Sequence, residues 1–269
     1  MTLATVGNLT LDVVGGRPPR PGGTAWYAVE AYRALGKAAV VVTRSASEEQ
    51  WVAEELRGGG TVEVAWSPAS TTAAFAFSYD EDGHREMTVS GVGDPWTVAD
   101  LEGWAGDALG EIRWVQVGAL LRTDFSAVTL QALAEDRHLL VDAQGLARAA
   151  ELGPLRRDAN VDPACFASVS MLKLNEDEAR ILARGESADA IRAIGVDEVV
   201  VTLGEGGARV VTPGHDERVE PGEIAETSDP TGAGDLFGAA YLAARAEDAE
   251  PVEAARAAVG LVSRALADR

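Results

Sequence analysis

The stretch Asp229-Pro230-Thr231-Gly232-Ala233-Gly234-Asp235 decides how the rest of this chain is read. It lies between a short alternating apolar run, Glu223 to Thr227, and an alanine-rich stretch, Leu236 to Ala246, with the composition of a helix. Two glycines at a helix start leave backbone N–H groups unpaired and unshielded by side chains, and the helix dipole adds positive potential there. The segment is therefore expected to hold an anion, with the carboxylate of Asp235 facing it. Phosphoryl transfer to a hydroxyl needs an acid group of this kind beside a phosphate cradle. A base must take the hydroxyl proton as phosphorus is attacked.

Composition narrows the setting. The 269 residues can bury a full core and are most simply one α/β domain spanning 1–269. A net charge of −20 argues against nucleic acid and anionic membranes as partners. Any phosphate ligand must then be held locally, by backbone amides, arginines or a metal ion. Only two lysines, Lys37 and Lys173, stand against 21 arginines. The single cysteine, Cys165, lies in an apolar run and is expected to be a buried structural thiol, in keeping with a reducing cytoplasm. The N-terminal run lacks the basic and apolar regions of a leader, and no apolar run reaches the ~20 residues of a membrane span.

Outward from the anion segment, the chain alternates strands and helices. Leu3 to Val6, Ala38 to Thr43, Thr61 to Trp66, Arg113 to Gly118, Leu139 to Val141, Val169 to Leu174 and Val199 to Thr202 have strand character. Thr24 to Leu35 is a helix entered from Gly22-Gly23 and closed by Gly36. Ser47 with Gln50 has the capping-box pattern for a helix to about Arg57, and Thr97 to Ala105 is a further helix. Thr72 to Tyr79 and His84 to Ser90 flank Asp80-Glu81-Asp82-Gly83, a hairpin signal that interrupts the alternation. This hairpin, at about 70–91, is either a flap off the main sheet or its antiparallel edge. Three strands in succession end in the polar or glycine-rich turns Asp142 to Gly145, Asn175 to Glu178 and Leu203 to Gly207. In a parallel sheet those ends share one edge, where ligands bind. The pattern predicts a doubly wound, mostly parallel sheet flanked by helices.

Several nucleotide and nucleophile motifs are absent. There is no Walker A loop, no Gly-x-Gly-x-x-Gly after the first strand and no Gly-x-Ser-x-Gly elbow. Asp12 is either a polyol-binding carboxylate or a solvated turn residue. Asn175 and Glu178 are either a pair positioning Mg²⁺ through its waters or simply a capping box.

These motifs, in this order, resemble those of the ribokinase family, also called the PfkB carbohydrate kinases. Asp229 to Asp235 is similar to its C-terminal signature, and Gly22-Gly23 through Gly36 to its Gly-Gly…Leu-Gly motif. Asn175 to Glu178 matches its Asn-x-x-Glu motif, and Thr202 to Gly207 its nucleotide loop. Gly7 to Asp12 looks like its first substrate strand. The resemblance implies a ribokinase-like fold with a small β-hairpin lid, and ATP-dependent transfer to a sugar or polyol hydroxyl. Asp235 would be the base and the amides of Gly232, Ala233 and Gly234 the anion hole. Asn8, Asp12, Gly22, Gly23 and Tyr27 would meet the acceptor, while Thr202, Gly204, Gly206 and Thr231 would border ATP. Asn175 and Glu178 would support Mg²⁺.

The helix N-terminus is expected to lower the pKa of Asp235 and keep it ionised at neutral pH. Tyr27 stands where many members have a sugar-contacting asparagine, a departure from ribose-like recognition. Nine residues separate Asp12 from Gly22, so the lid is expected to be one hairpin, and the chain a monomer or homodimer. The Asp142-Ala143-Gln144-Gly145 turn and the short lid look most like an inositol-kinase-type or otherwise uncharacterised branch. A nucleoside or vitamin-precursor kinase, with an aromatic acceptor stacked on Trp26 or Tyr27, and a non-catalytic ligand-binding member of the fold are the alternatives.

Overall fold

The computed structural model describes residues 1–15, 17–58, 60–79, 85–222, 230–267 and 269. The expected Asp80–Gly83 turn, His84, the run Glu223 to Thr227 and Asp229 lie outside the described residues.

In chain order the strands begin with β1 (Leu3–Asn8), β2 (Thr10–Val14), β3 (Arg20–Gly22), β4 (Ala39–Ala46) and β5 (Val62–Ala69). Next come β6 (Ala73–Tyr79), β7 (Arg85–Gly91), β8 (Trp114–Gly118), β9 (His138–Asp142) and β10 (Gly153–Pro154). The series ends with β11 (Met171–Asn175), β12 (Glu198–Thr202), β13 (Ala208–Val211) and β14 (Asp216–Val219). Nine of them form one sheet in the order β14-β13-β12-β11-β9-β8-β1-β4-β5. From β5 to β12 every neighbour is parallel, and β13 and β14 are antiparallel.

The central strands explain that arrangement. β1 is buried along its whole length, as a parallel strand covered on both faces must be. One face carries the helices Thr24–Ala34, Ala233–Arg245 and Pro251–Ala267 over Leu3, Val41, Leu140 and Val200. The other is covered from Ala105, Leu109, Leu130, Leu133 and Ile191 over Val6, Val117, Val141 and Leu172. Cys165 is buried in this second core, which holds its thiol above the usual range. Chain order reverses between β1, which leads to β4, and β8, which leads away on the other side. A crevice opens at the carboxyl ends of the strands where such a reversal occurs.

The second sheet corrects the single-hairpin expectation. β6 and β7 do pair antiparallel, but they belong to a five-stranded sheet ordered β10-β7-β6-β2-β3. The short segment between Asp12 and Gly22 suffices for a return strand: Thr10 pairs with Gly22 and Asp12 with Arg20. β2 then runs parallel to β6, with Thr10 opposite Ala73. Phe75, Phe77 and Val89 of this sheet pack on Leu120 and Leu121, which follow β8.

Two helix boundaries also differ. Gln50 donates down its helix to Glu54 instead of reaching back to Ser47, and Ser47–Glu49 forms a 3₁₀ turn with no side-chain cap. The helix expected over 97–105 is split at Gly103, whose backbone leaves the helical region (φ −116°, ψ −128°). Among the described residues, no helix is long and apolar enough to cross a membrane.

Candidate active site

The carboxyl ends of β9, β11 and β12 and the start of the Ala233–Arg245 helix surround a cleft of about 1240 Å³. Thr10, Asp12, Gly23, Tyr27, Asn175 and Asp235 all line it. Gly232 caps the helix in the left-handed conformation (φ +80°, ψ −2°), with no side chain supplying a cap. The three expected anion-hole amides are not equivalent. Ala233 N–H closes a turn onto the Pro230 carbonyl at 3.1 Å, whereas no backbone acceptor among the described residues takes the N–H of Gly234 or Asp235. Both residues line the cleft and stand at the positive end of the helix dipole.

Asp235 is held from two directions. Thr24, the first residue after Gly23, donates its hydroxyl to Asp235 Oδ1 at 2.6 Å. Gln116 of β8 donates to the Asp235 carbonyl at 3.2 Å. Two glycines make these contacts possible: a Cβ at Gly118 would lie 2.2 Å from Thr24 Cβ, and one at Gly238 would lie 2.6 Å from Gln116 Nε2. Burial pushes the Asp235 carboxyl up to about 6, and Asp142 adds to the rise while Lys173, Thr24 and Arg148 oppose it. The expected lowering by the helix terminus is thus overturned, because desolvation and a second carboxylate outweigh the dipole. At neutral pH the group is still mostly ionised.

Lys173 was not foreseen. It lies on β11 opposite Asp142 of β9, to which its ammonium donates at 2.9 Å, with both side chains buried. A Cβ on Gly234 would lie 2.8 Å from Lys173 Nζ, so the ammonium sits directly beneath the anion-hole turn. Burial works against that charge, but Asp142, Glu178 and Asp235 more than offset it and hold the lysine above its ordinary value. A lone lysine in the apolar strand Met171–Asn175 was the available signal.

The acceptor-side residues divide. Asp12 is buried and lines the cleft, and Gly22 leaves room for it: a Cβ there would lie 2.5 Å from Asp12 Oδ2. Asn8 is buried beneath, donating to the Asp94 carbonyl at 3.1 Å, and Thr10 lines the cleft instead. Tyr27 lines the cleft but packs on Gly232, where an added Cβ would lie 2.2 Å from the Tyr27 Cδ1. Trp26 packs against the core cluster of the helical face. We predict that Gly232→Ala strains the left-handed turn and collides with Tyr27, costing about 1–3 kcal/mol from overpacking in addition to backbone strain. Urea unfolding checks this, and an unchanged midpoint would refute it.

On the opposite side, Thr202 and Gly204 line the cleft with Gly207, while Gly206 does not. Thr231 is there too, accepting from Arg20 Nη2 at 3.3 Å. Asn175 and Glu178 form a complete capping box, so the bland sequence alternative describes their contacts. Glu178 Oε2 accepts from Asn175 N, and Glu178 Oε1 from Asn175 Nδ2, each at 2.8 Å. Both carboxylate oxygens are thus committed, and no cluster of three metal-ligating side chains occurs among the described residues. The pair fits Mg²⁺ only through water, with Asn175 at the cleft wall.

A buried carboxylate, a glycine-rich helix start and a polar wall converge on one cleft, and residues 68–266 match the pfkB family carbohydrate kinases. The chain belongs to this family. It is a ribokinase-like sugar or polyol kinase. Solved structures agree on the fold. A pyrophosphate-dependent kinase in the ribokinase family, complexed with a pyrophosphate analog and myo-inositol, superposes with a TM-score of 0.82 at 22% identity, over 99% of this chain and 95% of that one. Ribokinase from Thermotoga maritima gives a TM-score of 0.71 at 19% identity, over 99% and 93%. Arabidopsis thaliana ribokinase complexed with ribose and ATP gives 0.71 at 18%, over 98% and 92%.

Proposed function

We propose that this kinase transfers the terminal phosphoryl group of ATP to a hydroxyl of a small neutral polyol, with inositol as the favoured acceptor class. The observation that carries this reading is the Asp235 carboxylate. It is oriented by Thr24, raised to about 6 and set on the helix turn whose Gly234 and Asp235 amides meet no backbone acceptor among the described residues. In this reading Asp235 takes the acceptor proton, and the two amides with Lys173 beneath them stabilise charge on the transferring group. Asp12 accepts from acceptor hydroxyls, and the five-stranded sheet closes over them as a lid that excludes water.

The donor end supports a nucleotide. Beyond Thr202 and Gly204 the cleft wall is formed by Pro221, Val259, Val262 and Leu266, an apolar recess suited to a purine. Mg²⁺ would arrive with the donor phosphates and meet Asn175 and Glu178 through its waters, neutralising phosphate charge. The pyrophosphate-dependent structural relative makes pyrophosphate the second donor to test. Aromatic stacking of a nucleoside is less well supported, since Trp26 faces the core and Tyr27 is engaged with Gly232.

The test is turnover of myo-inositol, other neutral polyols, free sugars and nucleosides, each with ATP and with pyrophosphate. Turnover of a neutral polyol with ATP supports the proposal. Activity confined to nucleosides would overturn the acceptor, and activity with pyrophosphate alone would overturn the donor.

A further inference from the structure

Arg148 follows the short helix Gln144–Ala147 that leaves the carboxyl end of β9. The residue is only 7% exposed, yet its Nε has no hydrogen-bond partner among the described residues. It lines the same cleft as Asp12 and Asp235. Its guanidinium lies 5.6 Å from the ring centroid of Phe75, on β6 of the second sheet. That places it on the acceptor side of the cleft, under the sheet assigned as the lid.

A buried guanidinium offers five N–H donors and is costly to leave unpaired. Other arginines have a carboxylate anchor even where one nitrogen lacks a hydrogen-bond partner among the described residues: Arg44 Nε is such an atom, yet Arg44 Nη2 meets Asp100 at 2.9 Å. Arg245 forks onto Glu198 at 2.8 and 2.9 Å, and Arg122 reaches Asp158 at 2.6 Å. Arg148 has no such anchor. Its nearest charges are distributed: Glu178, Asp142 and Asp235 favour its cation, Arg157 opposes it, and burial brings it down to about 10. The partner for its donors is therefore expected from the ligand.

We propose that Arg148 is an acceptor-specificity residue whose guanidinium donates to hydroxyl oxygens of a bound neutral polyol, opposite the accepting carboxylate of Asp12. This rests on the acceptor class proposed above. A planar donor fork suits two adjacent oxygens of a diol. Asp12, Asp142 and Asp235 line the same cleft, so an acceptor that already carries a phosphate or carboxylate meets three carboxylates beside Arg148 and the paired Lys173. A neutral polyol meets donors and acceptors without that repulsion.

The experiment is steady-state kinetics of the full chain with myo-inositol and with myo-inositol monophosphate as acceptors, for wild type, Arg148→Gln and Arg148→Lys. Losing a charged hydrogen bond to an acceptor hydroxyl is expected to raise the myo-inositol KM about 10- to 100-fold. The donor KM should stay within about twofold and Arg148→Lys should recover part of the loss. Because the Arg148 side chain has no carboxylate anchor among the described residues and only the 5.6 Å contact with the Phe75 ring is lost, Arg148→Gln should melt close to wild type without substrate, whereas an arginine anchored to a carboxylate would lower the melting temperature clearly. An unchanged acceptor KM, a loss confined to kcat, a raised donor KM or a preference for the monophosphate would each overturn the proposal. If the glutamine variant fails to fold, that overturns the stability expectation, and the lysine variant still reads the KM. Failure of wild type to turn over any neutral polyol would sink the parent reading instead, so the two failures are distinguishable.

Discussion

Asp235→Asn is expected to lower kcat by about 10²- to 10⁴-fold, the usual contribution of a positioned general base. The amide keeps the size of the side chain, and its oxygen can still accept from Thr24 Oγ1, which now sits 2.6 Å from the carboxylate. What is lost is the ability to take the acceptor proton. The pH profile carries the more specific signature. With a base pushed up to about 6, kcat/KM rises roughly tenfold per pH unit below 6 and levels off above it. That acid limb should vanish in the asparagine variant. A helix-lowered carboxylate, as the sequence alone suggests, would put the limb well below pH 4 instead, so the profile separates the two. If wild type and variant share both rate and profile, Asp235 is not the base.

The same shift has a stability consequence of definite sign. A carboxyl whose folded pKa lies above its unfolded value stabilises the fold below the unfolded pKa, and that stability is lost as pH rises through the folded value. Between about pH 4 and 6 the wild type therefore pays for ionising Asp235 in a desolvated site. The asparagine variant does not titrate there. It should gain stability relative to wild type as pH rises across that window, with a constant difference above it. Stability gained where activity is lost marks a group placed for chemistry.

How much of this was legible in the chain follows from what each signal depends on. Gly232, Gly234 and Asp235 were readable because a left-handed cap and a close packing contact demand glycine locally, and the carboxylate follows them directly in sequence. The parallel order of β9, β11 and β12 was readable because continuous apolar runs ended in polar turns. The five-stranded second sheet was not, since β2 and β3 are short and their pairing with β6 is a long-range choice. The direction of the Asp235 shift was missed because it depends on Asp142, distant in sequence, and on burial. Thr24, Gln116 and Arg148 were missed for a similar reason. Each owes its role to a neighbour from another strand or helix, and only the small residues Gly118 and Gly238 hinted that something had to fit against them.

Lys173→Met should be the most damaging substitution to stability, because it leaves Asp142 as a buried carboxylate without its cation. Breaking such a pair from one side costs about 3–5 kcal/mol, whereas replacing both members is often nearly neutral. Asp142 keeps one acceptor contact, from the Gln144 N–H to Oδ1 at 3.0 Å, which softens but does not remove the penalty. The double variant Asp142→Asn/Lys173→Met should accordingly recover most of the loss in urea unfolding. It should not recover activity. The ammonium lies under Gly234, and in the proposed reading its removal takes a positive charge from beneath the amides of Gly234 and Asp235. Removing one preorganised electrostatic contributor of this kind lowers kcat by about 10²- to 10³-fold. A double variant with both wild-type stability and wild-type kcat would show that Lys173 is only a counter-ion for Asp142. Restored stability with a persistent deficit in kcat, at unchanged acceptor KM, separates the charge beneath the anion hole from the ion pair that anchors it.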